Sequence, residues 1–370
     1  MDFIPFFNYP ALFNQYEKQF TDIFVDVGRR GAYILQKDLT DFEATLADYL
    51  KVKHVFGVAD GTSAIIIGLK AAGIGQGDEV IMPSHTYIAT AGALHFLGGV
   101  PVLADIGPDN MLDPDDIEHR ITSRTKAICP VQINGRVCDM DRIQAIADKH
   151  GLQVVEDAAQ ALGARYKDRA AGTFGTFGTI SFYPAKLLGC FGDGGAVMTN
   201  DDKVAETLSM LRDHGRNSDG RVVTWGINSR LDNLQAAILK FKFTHYEDEV
   251  ARRREIARQY DAAFRDMPEI TVPVGPDSDP DRRDVYQNYE MAADRRDELR
   301  DYLRNQCGIG TIVQWAGTPV HQFHELGFDQ SDLPRTDAFF KRCLMLPMNV
   351  SVTDEQAAHV IASVKSFYKR

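Results

Sequence analysis

Short apolar runs alternate with longer helical stretches through the first 200 residues, and this alternation restricts the chain to few folds. Seven runs have the length and continuous apolar character of buried strands: 54–59, 79–83, 100–105, 126–131, 152–157, 179–184 and 195–200. Segments between them, such as 62–73 and 139–150, are long enough for crossover helices. Strands covered on both faces read as unbroken apolar runs, so the pattern predicts an α/β fold with a mostly parallel seven-stranded sheet between helices.

The character of the sequence changes in its last third. Residues 230–266 read as long helix, and a loop rich in proline and aspartate follows at 272–284. Short strands and helices fill the remainder. We therefore predict a large domain over 1–250, with an irregular N-terminal segment at 1–35, and a small C-terminal α+β domain over 251–370.

Composition argues against several classes of partner and site. The formal net charge of −11 disfavours binding to nucleic acid. The five cysteines are scattered and form no CxxC pair, so we expect reduced thiols in a cytoplasmic protein. No run reaches the roughly 18 apolar residues of a membrane span, and the N-terminus does not have the pattern of a signal peptide. We therefore predict no membrane contact. No cluster has metal-ligand spacing, so we also predict no metal.

One lysine stands in an apolar, glycine-rich stretch, SFYPAKLLGCFGDGGAVMTN (181–200). An exposed lysine needs no such setting. Burial disfavours the ammonium and lowers its pKa, and a neutral lysine amine can attack a carbonyl carbon. Lys186 is therefore the candidate nucleophile and proton carrier.

Further groups follow the predicted strands at the same edge, where ligands of parallel sheets bind. Thr62 and Ser63 begin a helix, where free N–H groups suit a phosphate, although a plain N-cap explains them too. Asp157 with Gln160 can hold the nitrogen and oxygen of a ring, although helix capping is the commoner use of such an aspartate. Tyr87 can stack on a planar ligand or pack in the core. Together these groups are the set that pyridoxal phosphate needs.

Nine motifs, in order along nearly the whole chain, carry a resemblance to a known family. They are GTSA (61–64), GDEVIMPSHTYIAT (77–90), TKAICPV (125–131), DMD (139–141), VVEDAAQALGA (154–164), SFYPAKLLGCFGDGGAVMTND (181–201), LRDHGR (211–216), NSRLDNLQAAIL (228–239) and LPM (346–348). In these motifs the chain resembles the DegT/DnrJ/EryC1/StrS family of nucleotide-sugar aminotransferases. The resemblance implies the fold-type-I architecture and pyridoxal 5'-phosphate as cofactor.

The resemblance also implies a role for each matching residue. Lys186 would carry the cofactor and act as acid and base, Asp157 would hold the pyridine nitrogen, and Gln160 the ring hydroxyl. The residues implied in cofactor binding are Thr62, Ser63, Tyr87, Asp157, Gln160, Ser181, Lys186 and Asn228. Of these, Tyr87 would stack on the ring. The phosphate would be bound by Thr62, Ser63 and Ser181. Asn228 would reach the cofactor phosphate of a neighbouring subunit, which implies a homodimer with composite active sites.

The implied reaction is transamination in two halves. Glutamate would give its amino group to the cofactor and leave as 2-oxoglutarate, and a nucleotide-linked keto-deoxysugar would then take the nitrogen. The stretch 181–196 is most similar to members acting at C3, so C3 is favoured over C4. The pathway would be amino-sugar synthesis for a surface polysaccharide or a glycosylated metabolite. Candidate sugar contacts are Tyr9, Tyr33, Arg230 and His321.

Departures from the family pattern and two alternatives stay open. Many members have an acidic or amide residue where Ser63 stands, and many read HLYG where this chain reads QINGR (132–136). Members with histidine in place of the lysine are sugar dehydratases, so Lys186 favours transamination over dehydration. The alternatives are another pyridoxal-phosphate reaction on a sugar and a regulatory protein of the same fold.

Overall fold

A computed structural model describes residues 2–329 and 332–369. The α-helices are α1 Tyr9–Gln15, α2 Glu17–Arg30, α3 Lys37–Leu50, α4 Gly61–Ala71, α5 Ile88–Phe96, α6 Pro114–Arg120, α7 Met140–His150, α8 Asp202–Leu211, α9 Asn233–Phe243, α10 Tyr246–Phe264, α11 Arg296–Asn305, α12 Pro334–Phe340 and α13 Asp354–Phe367. Within the described ranges, none of these helices combines the length and the apolar character that crossing a bilayer requires.

The β-strands form one large sheet and two small ones. They are β1 His54–Val58, β2 Glu79–Pro83, β3 Val100–Ala104, β4 Thr125–Ile128, β5 Gln153–Asp157, β6 Arg165–Tyr166, β7 Arg169–Ala170, β8 Phe177–Ser181, β9 Gly195–Thr199, β10 Ile270–Thr271, β11 Arg282–Arg283, β12 Tyr289–Ala293 and β13 Cys343–Leu346. The large sheet has seven strands in the order β1-β9-β8-β5-β4-β2-β3, and the others are β10-β12-β13 and β11-β6-β7.

The large sheet confirms the predicted fold class. Each of its seven strands overlaps one of the seven apolar runs, and no strand end differs from the predicted end by more than three residues. Only β9 runs against its neighbours β1 and β8, whereas β8, β5, β4, β2 and β3 pair in parallel. Side chains of one strand enter two different cores, as Ile81 does on one face and Val80 and Met82 on the other. Helices cover both faces, which explains why the strands show no polar alternation.

The predicted long helix at 230–266 is two helices. α9 ends at Phe243, and α10 begins at Tyr246 after a break at Thr244 and His245. The break lets α10 change partners along its length. Its first turns pack through Tyr246 and Val250 in a core of the large sheet, and its later turns lie in the core of the C-terminal part. The predicted division between residues 250 and 251 falls between these two halves and stays a prediction.

The N-terminal segment is not irregular as predicted, because α1 and α2 occupy residues 9–15 and 17–30. α2 buries only Phe20 and Val27, so most of its apolar side chains stay at the surface. Phe24 on the same helix is 64% exposed. Phe20, Ile23, Phe24 and Val27 follow the i, i+3, i+4, i+7 spacing of one helix face, so the sequence does carry the apolar period of this helix, and the prediction of an irregular segment overlooked it.

Candidate active site

The candidate site lies at the edge of the large sheet where the parallel strands end. β5 ends at Asp157, and the next parallel strand, β8, ends at Ser181. α4 begins at Gly61 directly against that end, since a Cβ on Gly61 would lie 3.0 Å from the Ser181 Cβ. The antiparallel strand β9 enters here too, and a Cβ on Gly195 would lie 2.6 Å from the Asp60 carbonyl oxygen. Close packing of glycine backbone therefore brings the three segments together.

The start of α4 offers backbone donors to an anion. Asp60 caps the helix and accepts hydrogen bonds from the Ser63 N–H at 2.7 Å and the Ser63 hydroxyl at 2.8 Å. The N-cap residue is therefore Asp60 and not Thr62 or Ser63. Its carboxylate accepts from the backbone N–H and from the hydroxyl of Ser63 at the same time. In the described chain the N–H groups of Gly61 and Thr62 donate to no protein atom. Two free N–H groups at the positive end of a helix beside Ser181 suit a phosphate. Both donors of Ser63 are already engaged by Asp60.

Asp157 is buried and held in one orientation. Its Oδ2 accepts from Thr90 Oγ1 at 2.7 Å, and its Oδ1 accepts from the Ala159 N–H at 3.1 Å. No helix begins at this residue in the described structure, since turns follow it, so the capping alternative is excluded. Thr90 was missed by the sequence analysis, although it lies within the motif at 77–90.

The neighbouring acid, Glu156, serves the fold. Its carboxylate accepts from Gln132 Nε2 at 2.9 Å and from the N–H groups of Gly172, Phe174 and Gly175 at 2.8, 2.5 and 3.1 Å. Burial raises the pKa of Glu156, and these donors oppose the shift. A carboxylate with four donors inside the protein closes the loop at 172–175 and has little left for a ligand.

Gln160 is oriented through the loop in which this chain differs from many family members. Its Oε1 accepts from the Asn134 N–H at 2.8 Å. Asn134 has a left-handed backbone with φ of 56°, and its side chain donates to Glu290 at 2.6 Å and accepts from Asn288 at 2.8 Å. Gln160 thus presents its amide nitrogen, which donates no hydrogen bond within the described residues. A free amide donor suits an oxygen on a ring.

Lys186 lies in the loop between β8 and β9 and is partly buried. Burial lowers its pKa to about 8, although the charge of Asp157 acts in the opposite direction. Its Nζ has no hydrogen bond or ion pair with any described residue. A lysine amine with a lowered pKa and no partner has the chemistry of a nucleophile.

The other predicted residues differ in how far they are exposed. Tyr87 precedes α5, is 57% exposed, and has its ring 6.4 Å from that of Trp315. Tyr9 lines the same cavity as Lys186 and is half exposed. Tyr33 is exposed at the surface. His321 is buried, with Nδ1 at 2.7 Å from Ser84 Oγ and Nε2 at 3.0 Å from Asp337.

Asn228 and Arg230 belong to an exposed stretch at the protein surface. The Asn228 side chain faces solvent, and Arg230 pairs with Asp213 at 2.9 Å. Trp225, three residues before Asn228, is 93% exposed. The stretch therefore presents apolar and amide groups outward, and within one subunit Asn228 does not line the cavity beside Lys186.

The residues at this edge fit pyridoxal phosphate. The α4 start and Ser181 suit the phosphate, Asp157 and Gln160 suit the ring nitrogen and ring hydroxyl, and the free amine of Lys186 suits the aldehyde. With the seven-stranded sheet, they define the class of the pyridoxal-phosphate-dependent transferases of fold type I.

Within that class, the family is shown by sequence. The DegT/DnrJ/EryC1/StrS aminotransferase family matches residues 14–365, and the chain belongs to it. The protein is therefore a pyridoxal-phosphate-dependent aminotransferase, which confirms the predicted family, fold, enzyme class and cofactor.

Relatives along the full length agree with this assignment. The chain is 40% identical over 372 aligned residues to dTDP-3-amino-3,4,6-trideoxy-alpha-D-glucose transaminase of Streptomyces venezuelae, covering 99% of this chain and 97% of the relative. It is 39% identical to the pleiotropic regulatory protein of Geobacillus stearothermophilus, with 99% of each covered. The crystal structure of S. venezuelae DesV in complex with a ketimine intermediate superposes with a TM-score of 0.95, at 39% identity and with 100% of both chains covered.

Proposed function

We propose that this chain transfers the amino group of glutamate to the keto group of a nucleotide-linked deoxysugar, with C3 favoured over C4. The observation that carries the proposal is the unpaired Lys186 amine, with its pKa lowered to about 8, beside the buried Asp157. The substrate class rests on a relative whose name specifies a dTDP-linked 3-amino sugar.

Lys186 has the properties of a proton carrier in both half-reactions. Bound pyridoxal phosphate supplies a protonated ring that withdraws electrons from the carbon bearing the amine. With its pKa near 8, the Lys186 amine can take a proton from that carbon and return it at physiological pH. Partial burial limits water around Nζ, which would favour transfer of the proton by Lys186 over its loss to solvent.

Asp157 and Gln160 keep the ring in its reactive form. A carboxylate at the ring nitrogen favours the protonated state, and the bond from Thr90 keeps Asp157 from rotating away. Gln160, whose oxygen is fixed by the Asn134 N–H, would donate its free amide N–H to the ring hydroxyl. Tyr87, half exposed before α5, supplies an aromatic face for the ring.

The start of α4 and Ser181 would hold the phosphate. The free N–H groups of Gly61 and Thr62 and the dipole of α4 act together on an anion there. A contact from Ser63 has to compete with Asp60, which holds both of its donors. Asn228 extends to the phosphate of the neighbouring subunit in a homodimer, and its exposure together with that of Trp225 supports this placement.

The N-terminal aromatic residues and residues of the partner subunit would contact the sugar. Tyr9 supports this because it shares a cavity with Lys186. Tyr33 is exposed and Arg230 is partly buried against Asp213, and neither lines the cavity of Lys186, so each would contact the sugar from the partner subunit of a dimer. His321 touches Ser84 and Asp337 with both ring nitrogens, so it contributes to a sugar site chiefly by fixing the segment around Ser84.

The test is a competition among acceptors. The enzyme, loaded with nitrogen-15 from labelled glutamate, is offered 3-keto and 4-keto nucleotide sugars beside pyruvate and oxaloacetate, and products are read by mass spectrometry. We expect the label chiefly in a 3-amino nucleotide sugar. A higher kcat/KM for a simple keto acid than for any sugar contradicts the substrate class, and label only in a 4-amino sugar contradicts the position.

A regulatory role is the second candidate, because one relative is named a pleiotropic regulatory protein. The net charge of −11 opposes direct binding to DNA. A gel shift at physiological salt, with the cofactor loaded, tests it, and specific retardation of DNA supports the regulatory role.

A further inference from the structure

A single buried amide holds the loop of Lys186 from both sides. Gln287 Oε1 accepts a hydrogen bond of 2.8 Å from the Leu187 N–H, and Gln287 Nε2 donates one of 2.8 Å to the Ala185 carbonyl. These are the residues directly before and after Lys186. Because one bond needs the oxygen and the other the nitrogen, the two bonds together also fix which way the amide is turned.

Gln287 is itself fixed from behind. It is 5% exposed. Its N–H donates to the Asn134 carbonyl at 3.0 Å, and its carbonyl accepts from Arg253 Nη1 at 2.9 Å. Tyr286, just before it, adopts a left-handed backbone with φ of 53°. Because the N–H and the carbonyl of Gln287 are both hydrogen-bonded, its side chain is a fixed point to which the lysine loop is attached.

The lysine needs such an anchor because nothing holds its amine. The Lys186 Nζ bonds to no described residue, and four rotatable bonds separate it from the backbone. Its direction therefore depends on the peptide groups on either side. In the described chain, Gln287 is the one side chain that bonds those two groups. The Lys186 N–H also donates a bond of 2.8 Å to the Tyr183 carbonyl.

The same segment also reaches the group proposed for the ring hydroxyl. The Asn134 carbonyl accepts from the Gln287 N–H, and the Asn134 N–H donates to Gln160. Gly135 makes this close contact possible, since a Cβ there would lie 3.0 Å from the Gln287 nitrogen. One short stretch, residues 285–288, therefore positions both Lys186 and Gln160.

We propose that Gln287 is a positioning residue for Lys186: its two amide bonds hold the flanking peptide groups so that the lysine amine points at the aldehyde carbon of the cofactor. The proposal rests on the proposed role of Lys186 as the attachment residue. Gln287 acts through the lysine loop and has no direct role in the chemistry.

The chain offers a matched control in the same loop. Gln235 makes the same pair of bonds to Phe191, accepting from its N–H at 2.8 Å and donating to its carbonyl at 3.0 Å. Phe191 follows Lys186 by five residues. The substitutions Gln287→Met and Gln235→Met each keep side-chain length and remove two hydrogen bonds, but only the first removes bonds next to the lysine.

The first measurement is covalent attachment of the cofactor to the full-length chain stripped of it. Pyridoxal phosphate is added, the visible absorbance is followed, and borohydride with peptide mapping reports the modified lysine. We expect Gln287→Met to slow attachment at Lys186 about tenfold or more, because a displaced nucleophile loses its alignment. Pyridoxamine phosphate forms no covalent bond to lysine. Its affinity should therefore be the same for Gln287→Met and Gln235→Met.

The second measurement reports the lysine without any cofactor. Competitive labelling with an amine-acylating reagent across roughly pH 6 to 11 gives the titration midpoint of Lys186 by mass spectrometry. We expect the midpoint to rise by about one pH unit in Gln287→Met, because a loosened loop lets water reach the ammonium. Gln235→Met should keep the wild-type midpoint.

The outcomes separate the two proposals. Equal effects of Gln287→Met and Gln235→Met, or an unmoved Lys186 midpoint with unchanged attachment rate, overturn the positioning role. Borohydride fixation at another lysine overturns the proposed function instead. If Gln287→Met does not fold, Gln287→Glu serves: it still accepts from the Leu187 N–H but sets a carboxylate oxygen against the Ala185 carbonyl, and wild-type attachment in it also overturns the role.

Discussion

The Thr90 hydroxyl donates a hydrogen bond of 2.7 Å to Oδ2 of Asp157, and both side chains are buried. Thr90 Oγ1 also lies 2.8 Å from Thr86 Oγ1, so one threonine can donate to the next and the second to the carboxylate. The N–H of Ala159 bonds the other oxygen at 3.1 Å. The carboxylate plane is therefore fixed before any ligand binds, and a fixed anion stabilises a ring cation without rearrangement.

Thr90→Val should weaken catalysis more than cofactor binding. It removes one hydrogen bond to a charged group and keeps the shape, so we expect kcat for the glutamate half-reaction to fall about tenfold to a hundredfold. Stopped-flow absorbance measures it. Thr199→Val is the control, since Thr199 donates one buried bond of 2.7 Å to the Thr176 carbonyl at the opposite edge of the sheet. Equal losses in both variants would mean that Thr90 contributes only to folding.

Asp157→Asn should abolish the electronic role while keeping the geometry. An asparagine oxygen can still accept from Thr90, but it carries no charge to keep a ring nitrogen protonated. We expect the glutamate half-reaction to slow by about a hundredfold or more, with the pyridoxamine form still bound. Single-turnover kinetics measures the rate of the half-reaction, and equilibrium dialysis measures the affinity for the pyridoxamine form. Turnover close to wild type would show that Asp157 is not the ring partner.

The sequence predicted the sheet and the positions of its polar ends well, for a physical reason. Buried parallel strands have no polar alternation, so their apolar runs mark both the strands and the residues that follow them, such as Asp157. The partners of those residues come from distant parts of the chain. Glu290 and Asn288 reach Asn134, and Gln287 reaches the Lys186 loop, across separations of more than 95 residues. No local period encodes such contacts. The break between α9 and α10 escaped prediction because no glycine or proline marks it in the sequence.

Lys186→Met should stabilise the chain stripped of cofactor. Burial lowers the Lys186 pKa from 10.5 to about 8. The protonated lysine therefore destabilises the folded state relative to the unfolded state. The penalty is complete below pH 8 and disappears as the pH rises to 10.5, because between these values only the unfolded lysine keeps its proton. We expect the variant to have a higher Tm than wild type at neutral pH, with the difference shrinking as the pH rises through that range.

Differential scanning fluorimetry across pH measures this difference. Lys242→Met is the comparison, because burial also lowers the pKa of Lys242, but the ammonium of this lysine donates to the Gly189 carbonyl. Removing that bond leaves a carbonyl without its donor, so its Tm should rise less or fall. A lower Tm for Lys186→Met at every pH would mean that the lysine is not strained by burial.

Mixing two inactive variants should restore activity if the sites are composite. In a heterodimer of Lys186→Ala and Asn228→Ala subunits, one site loses both residues and the other takes Lys186 from one chain and Asn228 from its partner. That second site is wild type. Random reassembly makes half the dimers mixed, so we expect about a quarter of the wild-type activity. The exposure of Asn228 on the stretch that also carries Trp225 motivates the test.

The matched control mixes Lys186→Ala with Asp157→Asn, because both residues serve the same chain's site and no mixed dimer contains an intact one. Recovery in the first mixture and none in the second supports shared sites, whereas no recovery in either places Asn228 outside the partner's site.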